Sequence, residues 1–157
     1  MLRACLALAS LTGLALPVTT LDGKPRSFPQ DATAARAVFV VTFTRAASEQ
    51  ATAWSRQLNG QKGRLGAEVF QVAVLEDVPR MFRSMAVSGI SRQIPEALRD
   101  RFWIATSGSK DWQQLTGEGP AKEAHVFVLD GRSRIVWRAH GAYTEARFRE
   151  ILSLPAP

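Results

Sequence analysis

One cysteine, two histidines and one tyrosine occur among the 157 residues. A lone cysteine excludes an internal disulfide and a CxxC dithiol. With only two histidines beside it, a Cys/His zinc cluster is excluded too. No apolar run reaches the roughly 20 residues that a helix needs to cross a bilayer. No run of five or six like charges occurs, and no aromatic-basic ladder of the single-strand-binding kind. No G-x-S-x-G elbow presents a strained nucleophilic serine. Repeats and low-complexity tracts are absent.

What is present fits one globular domain. The apolar share is 46% and the charged share 22%, ordinary values for a folded chain. Lys+Arg is 20 against Asp+Glu 14, a formal charge of +6. The arginines are scattered, so a basic face turned toward anionic lipid or an acidic partner is expected, and no nucleic-acid partner. No cofactor and no metal site are expected.

Residues 1–16 read MLRACLALASLTGLAL. An early Arg3, an apolar Ala/Leu stretch and small residues at Ala7, Ala9, Gly13 and Ala15 follow the grammar of a secretory leader. This predicts export to the periplasm, with residues 17–154 as the domain and 155–157 as a tail. The alternative is membrane association through an uncleaved leader. Cys5 lies inside the leader.

Along the chain, Asp22-Gly23 between short β-prone stretches signals an N-terminal hairpin. AVFVVTF over 37–43 and VFQVAVL over 69–75 read as buried strands. Between them Ala51, Trp54 and Leu58 fall at helical spacing, with Ser48 as cap and Gly60 and Gly63 as stop. Pro79 suits the first position of a helix carrying Met81, Phe82 and Met85, which Gly89 is expected to break. Glu76-Asp77 is read as a solvated turn capping that helix. Pro95 opens another short helix, Phe102 to Ala105 is a strand, and 111–115 a helical turn. HVFVLD over 125–130 and IVWRA over 135–139 form a closing hairpin. Thr144 caps a last helix with Phe148, Ile151 and Leu152 on one face. The fold class is α/β: a central mixed sheet with helices on both faces.

The order of elements and the Leu21-Asp22-Gly23-Lys24-Pro25 hairpin resemble the thioredoxin-like fold, in its exported redoxin branch. Anchored on Phe43, the family's two redox cysteines fall on Ser48 and Ala51. Anchored on Phe127, its cis-proline falls on Ala124. The resemblance therefore implies a redox site with every part replaced, and a hydroxyl cannot stand in for a thiolate. A second resemblance runs from Ile90-Ser91-Arg92-Gln93-Ile94-Pro95-Glu96 through Arg99-Asp100-Arg101-Phe102 to HVFVLD and Arg134-Ile135-Val136-Trp137. It is similar to the mitochondrial ATP synthase assembly factor family, and also to periplasmic thioredoxin-like proteins sharing VLD…R-x-x-W…G. It implies a chaperone or assembly factor of a membrane complex, with a protein partner and without thiol chemistry.

Candidate residues follow. Ser48, Ala51, Ala124 and His125 mark the vestigial site, and a trans bond is expected before Ala124. Arg80, Arg83, Arg92, Arg99 and Arg101 could grip anionic headgroups or an acidic segment. Arg80 and Arg83 share a helix face at i, i+3. Trp112, beside Lys110 and Asp111, is expected to be partly exposed as a contact residue. Trp54, Trp103 and Trp137 are assigned to the core, and His140 to the surface. The reading is a non-catalytic polypeptide-binding domain. Its alternatives are a thiol-independent enzyme using His125 near the old site, and a structural subunit of a periplasmic assembly.

Overall fold

The computed structural model describes residues 11–156. Its strands are β1 (Leu16–Thr20), β2 (Pro25–Phe28), β3 (Arg36–Thr42), β4 (Glu68–Val74), β5 (Phe102–Ala105), β6 (His125–Asp130) and β7 (Ile135–His140). Its helices are α1 (Ser48–Gly60), α2 (Lys62–Leu65), α3 (Arg80–Gln93), α4 (Ser109–Thr116) and α5 (Glu145–Leu152). One sheet takes the order β2-β1-β5-β4-β3-β6-β7. β3, β4 and β5 run parallel, and β1 and β6 attach antiparallel on either side. This is the expected mixed sheet with its N-terminal hairpin.

The apolar run of β3 explains its central place. Every residue from Arg36 to Val41 is buried, as a strand covered on both faces requires. Alternation sends Ala37, Phe39 and Val41 into one core and Val38 and Val40 into the other. The first core is aromatic: Phe39 stacks between Phe70 at 4.9 Å and Phe127 at 5.2 Å. The second holds Trp54 and Leu58 of α1 against Phe148 and Ile151 of α5. Trp54 Nε1 donates to the Gly141 carbonyl at 2.9 Å, which satisfies the buried indole N–H. Trp103 and Trp137 are buried as expected.

Several boundaries differ from the sequence reading. β1 begins at Leu16, which is buried and in register with Phe28. Leu11 and Leu14 pack against the same core. The expected leader's first ten residues lie outside the described residues. No helix among the described residues is long and apolar enough to cross a membrane.

Ser48 does not cap α1. A 3-10 turn over Arg45–Ala47 runs directly into the helix, leaving Ala47 at the cap position with no side-chain bond. Gly63 lies inside α2, and Gly66 at φ 59 closes that turn instead. Gly89 does not break α3, which ends where Ile94 turns extended ahead of Pro95, a conformation that proline imposes on the residue before it. Glu76 caps a different helix from the one expected: its Oε2 accepts from the Ser109 N–H, at the start of α4, at 2.6 Å. Thr144 caps α5 as read, accepting from the Arg147 N–H at 3.2 Å.

Candidate functional site

Beyond the carboxyl ends of β3 and β4 a groove of about 650 Å³ opens. One wall is the β3–α1 junction, with Phe43, Arg45, Ser48 and Glu49. The other is formed by Met85, Gly89 and Ile90 of α3. Val74 and Leu75 form the floor. The parallel β3–α1–β4 unit puts these groups together: both strands end at the same level, and the chain leaves each in an exposed loop.

The four vestigial positions differ in exposure. Ser48 is exposed and lines the groove. Ala51 is buried in the second core, under the body of α1. Ala124 is fully buried and both its backbone groups are engaged. Its N–H donates to Gln50 Oε1 at 2.9 Å, and its carbonyl accepts from Gly141 N–H at 2.9 Å. A proline at 124 would carry no N–H; alanine brings a buried donor, and Gln50 satisfies it. The bond before Ala124 is trans; among the described residues the cis bond is Phe28–Pro29.

His125 faces a second cavity, of about 830 Å³, lined also by Lys110, Gln113, Glu118 and Gly119. Phe43 borders both cavities and meets the His125 ring edge-on at 5.5 Å. His125 Nε2 lies 3.0 Å from the Pro120 carbonyl. A carbonyl only accepts, so Nε2 carries the proton in the neutral ring and Nδ1 is a bare acceptor. Nδ1 is buried without a partner. Burial pushes the imidazole below its ordinary 6.5. The charge of His140 works the same way, while the Pro120 carbonyl and the Glu123 charge oppose.

His140 follows the surface reading, with its Nδ1 2.6 Å from Glu123 Oε2. The two imidazoles lie 5.8 Å apart. Gly119 fills the space above both. A Cβ there would sit 2.7 Å from His125 Cε1 and 3.0 Å from His140 Cγ. No hydrogen bond among the described residues joins Ser48 to His125, and Glu123 bonds His140 instead, so no nucleophile–base–carboxylate chain is assembled.

The arginine set separates into two kinds. Arg83 donates to the Val78 and Glu76 carbonyls, Arg99 to those of Ile94 and Ser91, and Arg101 pairs with Glu68 at 2.7 Å. These three fasten the chain to itself. Arg80 and Arg92 are exposed and make no hydrogen bond or ion pair among the described residues. Trp112 is a correction: it is fully buried and packs on Phe28 at 4.8 Å. The i, i+3 spacing of Trp112 and Leu115 on α4 was the signal for that burial, outweighed in the sequence by polar neighbours. Gln50 and Gly119 were not singled out, because nothing in their local sequence distinguishes them.

The architecture is that of the thioredoxin-like fold. A SCO1/SenC family lipoprotein from Bacillus anthracis superposes with a TM-score of 0.60 at 16% identity, over 96% of this chain and 97% of its own. An exposed lipoprotein thioredoxin from Streptococcus pneumoniae gives 0.58 at 11% identity, over 89% and 99%. A thiol:disulfide interchange protein of the thioredoxin family from Chlorobium tepidum gives 0.51 at 15%, over 88% and 93%. No family model and no curated protein matches the chain. At these identities the likeness shows the fold.

Proposed function

We propose that this domain binds an extended polypeptide in the groove between Ser48 and Ile90, without thiol chemistry. The observation that carries the reading is the groove itself. It is an apolar cleft with a few polar groups at its rim, at the carboxyl ends of parallel strands, where open α/β sheets take ligands. Met85 gives one wall an unbranched, adaptable side chain. Disulfide exchange needs a thiolate, and the wall offers Ser48 where the resemblance places the first cysteine. Export agrees with two of the solved neighbours being lipoproteins. Assembly of a membrane complex, with ATP synthase as the instance the sequence resemblance names, is the finer form of this proposal.

The test is a photo-crosslinking residue at Ser48, with Arg56 on the exposed side of α1 as control. The expected result is that Ser48 adducts map in cells to one segment of one polypeptide, and that Arg56 yields none of them. No adduct at Ser48, or the same adducts from both positions, refutes the proposal.

A further inference from the structure

α3 is the helix that the rest of the molecule leaves least covered. Among the five α-helices of the described residues it alone buries no residue. Met81, Phe82 and Met85 are 79%, 49% and 65% exposed. Large apolar groups so exposed and so close together are the unusual observation, since single exposed ones need no explanation.

The helix is nevertheless held in place. On its inner side Val87 and Ile90, with Ile94 beyond its end, rest partly buried on Ala73, Phe102 and Ile104. Arg83 ties its first turn to the Glu76 and Val78 carbonyls at 3.0 Å each. Arg99 ties its last turn, donating to Ser91 and Ile94 at 3.0 and 3.3 Å. The outer face is thus presented on a fixed element.

That face has a definite chemistry. Met81, Met85, Ser88 and Arg92 follow at i, i+4, i+7 and i+11, which places them in one stripe, and all four are exposed. Phe82 and Arg80 flank it. From Arg80 to Gln93 there are three arginines and no acid. Of the nearby acids, Glu76 is engaged with Ser109, Asp77 precedes the helix and Glu96 follows it.

We infer that the outer face of α3 rests on an anionic bilayer surface. Met81, Phe82 and Met85 enter the boundary between headgroups and acyl chains, and Arg80 and Arg92 meet lipid phosphates. A convex ridge of flexible apolar side chains fits a deformable surface, and basic amphipathic helices lie in that boundary in this way. The arginine stems lie along the apolar layer while the guanidinium reaches the phosphate. A second copy of the chain is disfavoured, because two such helices would oppose like charges. The inference does not depend on the groove reading. Met85 belongs to both surfaces, so a domain docked in this way opens its groove at the membrane.

The test is co-sedimentation of the full chain with phosphatidylcholine vesicles containing about 30% phosphatidylglycerol, against pure phosphatidylcholine. Using the full chain keeps residues 1–10 common to every sample. The expected partition coefficient is on the order of 10⁴ M⁻¹, that of one myristoyl chain. It should fall at least about ten-fold on neutral vesicles, in ~0.5 M salt, and in Met81→Ser/Phe82→Ser/Met85→Ser and Arg80→Gln/Arg92→Gln. The substituted side chains are exposed, and circular dichroism checks that each variant folds. Equal partition of the wild type onto neutral and anionic vesicles overturns the inference whatever the variants do. So does wild-type partition by both variants, or capture of an acidic protein by this face with no affinity for vesicles.

Discussion

Replacing Gly119 by alanine tests the geometry of the histidine pair directly. The new Cβ would stand 2.7 Å from His125 Cε1, 3.0 Å from His140 Cγ and 3.1 Å from His140 Cδ2. Carbon atoms pack best at about 3.5–4.0 Å, so the shortest approach is too close by about 0.8 Å. His140 is half exposed and can swing away, at the cost of its bond to Glu123. His125 is 1% exposed, with Phe43 against its ring and the Pro120 carbonyl on Nε2. Both contacts resist its displacement. The loop must move instead, and Pro120 is the next residue, so the shift draws its carbonyl off Nε2. Overpacking of this kind costs about 1–3 kcal/mol. Gly89→Ala is the matched control: its Cβ meets nothing within 4 Å in the interior of α3, and it should stabilise by about 0.5–1 kcal/mol. Urea unfolding with unchanged m-values reads both. Adding His140→Ala to Gly119→Ala removes the two longer clashes and should restore stability only in part. Full restoration, or a Gly119→Ala protein as stable as wild type, would refute the rigid placement of His125.

Two further outcomes follow from the same region and the first core. The folded-state pKa of His125 is held below 6.5, chiefly by burial, so the unfolded chain takes up the proton first. Stability should be flat above pH 6.5, fall as the pH drops below it, and level off beneath the folded-state value. Urea midpoints across that range should show a weaker acid decline in His125→Gln, and identical declines would contradict the assignment. Trp112→Ala removes a fully buried side chain packed on Phe28. It should cost about 3–5 kcal/mol, measured by thermal unfolding; loss of partner capture at wild-type stability would return Trp112 to a surface role.

The sheet was legible because its strands carry their own evidence. AVFVV in β3 is buried on both faces, and no amphipathic pattern competes with that reading. Local signals failed wherever a distant group decided the outcome. Ser48 has the chemistry of a cap, but the 3-10 turn before it leaves no extended residue at that place. Glu76 reads as a partner for the helix that follows it in sequence, yet its carboxylate accepts from the Ser109 N–H, 33 residues on. Sequence neighbours cannot reveal such a bond, because it depends on β4 and β5 ending side by side.

The candidate site shows the same division. Alignment on Phe43 and Phe127 brought Ser48, Ala51, Ala124 and His125 together as positions, and the fold separates them by burial. Only Ser48 reaches the groove, while Gln50 neutralises the N–H that alanine introduces at 124. The five arginines illustrate why composition overstates a basic surface. A guanidinium is as good a strap for carbonyls as it is a ligand for phosphate, and sequence does not distinguish the uses. Arg83 and Arg99 are straps across the two ends of α3, which is what allows that helix to keep Met81, Phe82 and Met85 outside the core. The scattered charge and the apolar helix are therefore one feature: some arginines fix the helix, and the two left free share its exposed face.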